Sequence, residues 1–267
     1  MQPDVIRRLN AVNRAFYAIT AADFDATRQA PWAGWFPLLP YLSGVRRVLD
    51  VGCGNGRFGV FLRQHVGESA IEYHGVDNSA DLLERARGVL NPESPTLSEK
   101  PRGAMLKDDA IPPQPDTQNS GLATHHLFLH DFIDSALPAD LTDYDVVAAF
   151  GVLHHVPGYE TRRAFIRDLA GRLRSGGVLM LAAWRFLDDP ALRARVAPWP
   201  DDLVNEVESG DALLDWRRGQ TALRYCHHCD DSEFDALMAD SGLTVESRYF
   251  ADGGSGRMNL YAVARRD

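Results

Sequence analysis

Lysine is almost absent from this 267-residue chain: only Lys100 and Lys107 occur, so nearly all of its positive charge sits on arginine. The planar guanidinium fork suits carboxylate and phosphate recognition, and the same bias is what a GC-rich coding sequence produces. Cysteine is scarce too. Three residues are too few and too odd for a disulfide framework, which points to a reducing cytoplasm. No apolar run approaches the roughly 18 residues that a bilayer span requires, and the opening MQPDVIRRLN is polar where a signal peptide needs its apolar stretch. A soluble, unexported protein with no membrane partner is expected. Basic residues are in deficit as a whole, 28 against 37 acids for a net charge of −9, which repels phosphodiester backbones at long range but leaves room for a local basic site. What is present is ordinary: 45% hydrophobic and 24% charged residues provide for a sizeable core and exclude global disorder, collagen and coiled coil.

Residues 3 to 19 space Ile6, Leu9, Val12, Phe16 and Ile19 as one face of a helix. A break at Ser43-Gly44 introduces the strand-like run 45 to 51. Strands and helices then alternate: helix 56 to 66, strand 71 to 77, helix 80 to 90, strands 125 to 131 and 144 to 150, helix 159 to 174, strand 178 to 184. This alternation predicts an α/β protein with a parallel sheet covered by helices on both faces. Residues 91 to 122 hold six prolines and little periodic pattern, and read as a flexible surface insertion. Residues 188 to 220 suggest one or two short helices around Pro198 and Pro200. Helix 231 to 240 and two strands, 243 to 250 and 257 to 264, joined by ADGGSG, predict an antiparallel hairpin at the sheet edge.

The chemistry concentrates in Asp50-Val51-Gly52-Cys53-Gly54-Asn55-Gly56-Arg57-Phe58-Gly59, between the first strand and the first helix covering the sheet. Glycines permit a tight turn and close approach of a ligand, and the helix N-terminus behind them presents unpaired N–H groups. Gly54-x-Gly56-x-x-Gly59, with Asp77 about 20 residues on, also satisfies the dinucleotide fingerprint, so an NAD-dependent oxidoreductase is one alternative. Asp50, however, would repel a pyrophosphate and suits a ligand carrying an ammonium or sulfonium charge.

With Gly52, Gly54 and Gly56 following that acid in alternation, the segment resembles the first motif of class I S-adenosylmethionine-dependent methyltransferases. The rest of the sheet fits in order. Tyr73 to Ser79, including Asp77 and Asn78, looks like the second motif, in which the acid accepts both ribose hydroxyls; a carboxylate suits two O–H donors because it only accepts. Asp131 and Phe132 look like the third, for the adenine amino group and ring. Phe150, Gly151 and Val152 resemble the fourth, beside the methionine end. The resemblance implies S-adenosyl-L-methionine as cofactor and a Rossmann-like seven-stranded sheet with an antiparallel last strand. Together with the pattern along the chain, this organises the sequence into an N-terminal helical cap (1–44), a nucleoside-binding core with the flexible insertion 91–122 (45–185), a substrate-side cap (186–222), and a C-terminal helix and hairpin completing the core (223–267).

The motif Phe24-Asp25-x-Thr27-Arg28-x-x-x-Trp32 resembles the N-terminus of tRNA wobble-uridine carboxymethyl methyltransferases, which esterify a carboxylate. Leu153-His154-His155, Ala183-Trp184-Arg185-Phe186 and Arg224-Tyr225-Cys226-His227 extend the likeness over nearly the whole chain. It implies His155, Arg28 and Tyr17 as catalytic-site polar groups and Trp32, His154, Trp184 and Arg185 as substrate contacts. Either tRNA or a small-molecule acceptor fits, with O- or N-methylation and a small activating subunit left open. A tRNA enzyme should gather Arg162, Arg163, Arg185, Arg217 and Arg218 beside the pocket; a small-molecule enzyme should have a closed apolar chamber under 186 to 220. Cys226-His227-His228-Cys229 invites a metal, but four consecutive residues cannot all turn to one tetrahedral ion, and strand alternation splits them between two faces. No metal is expected.

Overall fold

The structure, a computed structural model, describes residues 1–66, 71–91, 122–218 and 220–267. All of the insertion read at 91–122 but its two ends lies outside the described residues. Helix α1 (Pro3–Ala26) starts with proline at its first turn, where no N–H is needed, and runs on past residue 19. Its buried face carries Val5, Leu9 and Phe16 but also Asn10, Asn13 and Thr20, so part of that face is polar by construction. A 3-10 run, Ala33–Leu42, follows; Pro37 and Pro40 lack the N–H groups an α-helix would need there.

Then come β1 (Arg47–Val51), α2 (Arg57–His65), β2 (Ile71–Asp77), α3 (Ala80–Leu90), β3 (Leu122–Leu129), β4 (Tyr144–Phe150), α4 (Tyr159–Gly171) and β5 (Leu173–Trp184). Near the C-terminus lie α6 (Asp231–Asp240), β9 (Thr244–Ala251) and β10 (Asn259–Arg265). The seven-stranded sheet has the order β3-β2-β1-β4-β5-β10-β9. The first five strands are mutually parallel and β10 is antiparallel to both neighbours. The hairpin therefore does not simply extend the edge: its second strand inserts between β5 and β9. One face packs on α4 and α6 through Phe165, Ile166, Leu169, Phe234 and Leu237. The other packs on α2, α3 and the 3-10 run through Phe58, Phe61, Leu83, Trp35 and Leu38.

Helix α4 ends at Gly171, short of 174, because Tyr144 N–H takes the Arg172 carbonyl and starts the pairing of β5 with β4. The stretch 188 to 220 differs more. It holds the four-residue α5 (Pro190–Arg193) and then a small antiparallel sheet of β6 (Val196–Ala197), β7 (Asp211–Arg218) and β8 (Gln220–His227). A division at 222/223 cuts β8, which pairs with β7 from Gln220 to His227. The carboxyl ends of β1 and β4, where the chain reverses its direction of winding, open a crevice, and α1 and the small sheet close over it.

Candidate active site

At the end of β1 the chain turns through Gly52, Gly54 and Gly56, all with φ between 54° and 78°. Gly52 and Cys53 N–H donate to the Val76 carbonyl at 2.7 and 3.1 Å, which fastens the loop to β2. A Cβ on Gly52 would overlap Val152 Cγ2. Gly52→Ala is accordingly expected to destabilise the fold by roughly 1 to 2 kcal/mol from the left-handed backbone alone, read as a lowered urea midpoint; an unchanged midpoint would show that the loop relaxes freely. Gly59 serves packing instead, since a Cβ there would lie 2.7 Å from Leu90 and 3.1 Å from Tyr73.

Two carboxylates stand at the strand ends. Asp50 is buried and accepts from the Tyr73 hydroxyl at 2.6 Å. Burial pushes its carboxyl up to about 7. Asp77 accepts from Gly54 N–H (2.8 Å) and Ser79 N–H (2.9 Å), and burial nevertheless lifts it to about 6. The N-terminal segment is strapped over this loop. Asn55 Nδ2 donates to Asp25 Oδ1 (2.8 Å) and the Arg28 carbonyl (3.1 Å), Arg57 donates to the Ala30 carbonyl, and Arg85 pairs with Asp25. Trp32 stacks on Trp35, and its ring lies 2.9 Å from where a Cβ of Gly151 would be.

Between loop and cap lies a cavity of about 710 Å³. Its walls include Asp50, Gly52, Cys53, Gly54, Asn55, Asp77, Asn78, Phe132, Phe150, Gly151 and Val152 on the loop side. Tyr17, Arg28, Trp32, His154, His155, Trp184, Trp216 and Arg224 line it as well. His155 Nδ1 lies 3.0 Å from the Tyr225 carbonyl, which can only accept, so Nδ1 carries the proton and Nε2 accepts from the Tyr17 hydroxyl at 2.9 Å. Burial, then Arg224, depresses the His155 ring to about 3, so it is neutral at physiological pH. Burial lifts Tyr17 to about 12. Arg28 stacks over Phe24, 3.6 Å from the ring centre, and donates to Thr27.

Three expected contacts fall elsewhere. Gly56 caps α2 against Ala86 and does not line the cavity. Asp131 is not among the cavity-lining residues; it accepts from Arg14 and Asn10 of α1, at 3.0 Å each, and caps Ile133 N–H. Arg185 is drawn off by Asp188, Asp231 and the Cys229 carbonyl. The expected arginine patch does not assemble either: Arg162 pairs with Glu208 and Glu233, Arg163 with Glu160 and Asp240, and Arg217 with Asp215. Arg218's side chain lies outside the described residues. The Cys-His-His-Cys run does split between faces. His227 bonds Asp211 and Glu233, whereas Cys226 packs with Phe186, against which His228 also lies. Donor atoms of His154, His155 and Cys226 come within 4.8 Å of one another, yet His155 has both nitrogens engaged, and a metal there would have to displace Tyr17 or the Tyr225 carbonyl.

The methyltransferase domain family matches residues 24–248, most of the chain. The chain belongs to this family. It is an S-adenosylmethionine-dependent methyltransferase with the class I fold, and the nicotinamide alternative is set aside. A crystal structure of an S-adenosylmethionine-dependent methyltransferase from Methanosarcina mazei superposes with a TM-score of 0.58 at 17% identity, covering 86% of this chain and 96% of that one. A tRNA (carboxymethyluridine(34)-5-O)-methyltransferase of Saccharomyces cerevisiae is 27% identical over 173 residues, 63% of this methyltransferase and 46% of the yeast protein. An uncharacterized methyltransferase of Schizosaccharomyces pombe is 33% identical over 95 residues, 35% of this chain and 34% of its own. The methyltransferase thus aligns with less than half the length of either yeast relative. Among the described residues no helix is long and apolar enough to cross a membrane.

Sequence reasoning did not single out Arg224 as a site residue. It sits on a strand face with Ala222 and Cys226, and a charged residue in that alternation hides the strand from a hydropathy reading. Asn10 and Asn13 were missed for the converse reason: they are polar residues on what reads as the buried face of an amphipathic helix.

Proposed function

We propose that this methyltransferase esterifies a carboxylate, and that a modified wobble uridine of tRNA is its acceptor. The observation that carries the reading is that cap-side arginines, Arg28 and Arg224, line the same cavity as Asp50 and Asp77 at the strand ends, while the loop's own cation Arg57 donates to the Ala30 carbonyl. The loop side fits S-adenosylmethionine. Its acids are desolvated, as suits a cationic ligand, the alternate glycines leave the backbone open, and about 710 Å³ lies within the ordinary range for small-molecule sites. Asp77 would accept the ribose hydroxyls, Phe132 would line the purine, and Phe150 to Val152 would flank the methionine end beside Asp50. The cofactor supplies a methyl group already activated on sulfonium. The chain's part is then to exclude water and to hold the acceptor in line about 3 to 3.5 Å from the carbon. A carboxylate is ionised at neutral pH and needs no base, so neutral His155 and the Tyr17 hydroxyl it holds serve orientation.

The uridine acceptor is supported by the Phe-Asp-x-Thr-Arg-x-x-x-Trp segment and by the name of the Saccharomyces relative. A second reading, a small carboxylic acid, is favoured by the arginines expected to contact tRNA being paired with carboxylates of the chain itself. Incubation with radiolabelled methyl donor and separation of total tRNA from small metabolites decides between them. Label in tRNA supports the first; label only in small molecules overturns it.

Donor binding should depend on pH. In the free protein Asp50 and Asp77 titrate at about 7 and about 6. Raised carboxyls contribute stability below their unfolded pKa of about 4 that is lost as pH rises through 6 to 7. A cationic ligand favours the ionised forms, so binding should release protons and affinity should climb between about pH 5.5 and 7.5, then level. Calorimetry in buffers of different ionisation enthalpy would detect the protons. Asp50→Asn should flatten the curve, and a wild-type curve already flat would refute the charge assignment.

A further inference from the structure

Three arginines are buried among the described residues: Arg162, Arg172 and Arg224. The first two are saturated. Arg162 bonds Glu208, Glu233 and a carbonyl, and Arg172 bonds Asp168 and the carbonyls of Leu137, Pro138 and Leu141. Arg224 is as buried, 7% exposed, but its surroundings are rings: Trp184 at 4.6 Å, Phe16 at 5.4 Å and Trp216 at 5.9 Å. Among the described residues no carboxylate pairs with it and no side chain or carbonyl accepts from its N–H groups. A buried charge without a counter-ion is costly, and the low-dielectric wall of rings strengthens its demand for one. It lines the cavity.

Asn13 supplies an independent observation. Its Oδ1 accepts from Tyr225 N–H at 2.9 Å, which fixes the amide orientation; the residue lines the cavity, but its Nδ2 is itself closed off and has no partner among the described residues. Asn13 is thus tied to the residue that follows Arg224 and fixes that stretch of strand, while the Arg224 N–H donors are unused among the described residues. The complement of a guanidinium is a group that only accepts and carries negative charge.

We propose that Arg224, held in place by the bond of Asn13 to its neighbour Tyr225, is the anchor for the carboxylate of the methyl acceptor, a role that rests on the carboxyl-methylation reading above. One oxygen of the anchored carboxylate bonds to the methyl carbon as the carbon–sulfur bond breaks with its electron pair going to sulfur; no proton moves. The acceptor loses its negative charge in that step, so the neutral ester no longer matches Arg224 and leaves.

The test uses the full chain loaded with S-adenosylhomocysteine, titrated with phenylacetate and with phenylacetamide while tryptophan emission is followed, since Trp184 and Trp216 flank the guanidinium. Wild type should bind the acid at least about tenfold more tightly than the amide, as loss of one charge-assisted contact implies. Arg224→Met, which keeps a long apolar side chain against the rings, should abolish that difference and leave S-adenosylhomocysteine affinity within about twofold. Arg224→Lys should retain part of it, and guards against a variant that merely misfolds. Wild type indifferent to the charge, or Arg224→Met still preferring the acid, would overturn the assignment. So would a parallel tenfold loss of S-adenosylhomocysteine affinity, because the guanidinium would then hold the cofactor's own carboxylate. Methyl transfer is scored separately: acid-selective binding with no ester formed on any acceptor pool would refute the function and leave the anchor standing.

Discussion

Asp77→Ala is expected to lower affinity for S-adenosylhomocysteine by on the order of 100-fold, because two losses combine. The carboxylate is the acceptor proposed for the ribose hydroxyls. It also holds Gly54 N–H and Ser79 N–H, one in the glycine loop and one at the cap of α3, so its removal frees both walls of the ribose site. Asp77→Asn keeps the shape and one acceptor oxygen, and should lose about tenfold. Titration calorimetry reads both. Unchanged affinity in the alanine variant would mean that the ribose is held by another group.

The second large effect falls on the fold. Arg162, read from sequence as a surface contact for tRNA, is instead the centre of a buried network. Its side chain is 1% exposed and joins Glu233 of α6 at 2.7 Å to Glu208 at 2.9 Å, while His227 of β8 bonds the same Glu233 and Asp211. Arg162→Met would leave both glutamates facing each other across a buried site. Breaking such a pair from one side costs about 3 to 5 kcal/mol, and the lower figure applies because Glu208 keeps some solvent contact. Against a total stability of roughly 5 to 15 kcal/mol, that should lower the melting temperature by on the order of 10 °C. Affinity for S-adenosylhomocysteine in the cold should be unchanged, since Arg162 does not line the cavity. A melting temperature within about 2 °C of wild type would show the network to be energetically idle.

The sheet was legible because its strands are buried on both faces and read as continuous apolar runs: Tyr144–Phe150 and Ile71–Asp77 have the bounds the pattern predicts. The glycine loop was legible because positive φ at Gly52, Gly54 and Gly56 leaves a compositional trace. Residues 211–227 were not, since β7 and β8 place Asp211, Arg224 and His227 at buried positions, where charge compensation and cavity lining replace hydrophobicity. Asp131 shows a different limit. Its position after β3 matches the adenine-contacting motif, but the competing donors Asn10 and Arg14 lie more than a hundred residues away, and no local pattern reveals them. The same holds for Arg185, whose partners Asp188 and Asp231 belong to the cap and to α6.

The carboxylate chemistry is tested most directly by the lability of the product bond. The protein is incubated with methyl-labelled S-adenosylmethionine and an extract containing both tRNA and small metabolites, and the labelled product is exposed to mild alkali. An ester must release the label as volatile methanol, and Arg224→Met must form little of it. Label that survives alkali, as an N-methyl group or a methyl ether would, contradicts the account.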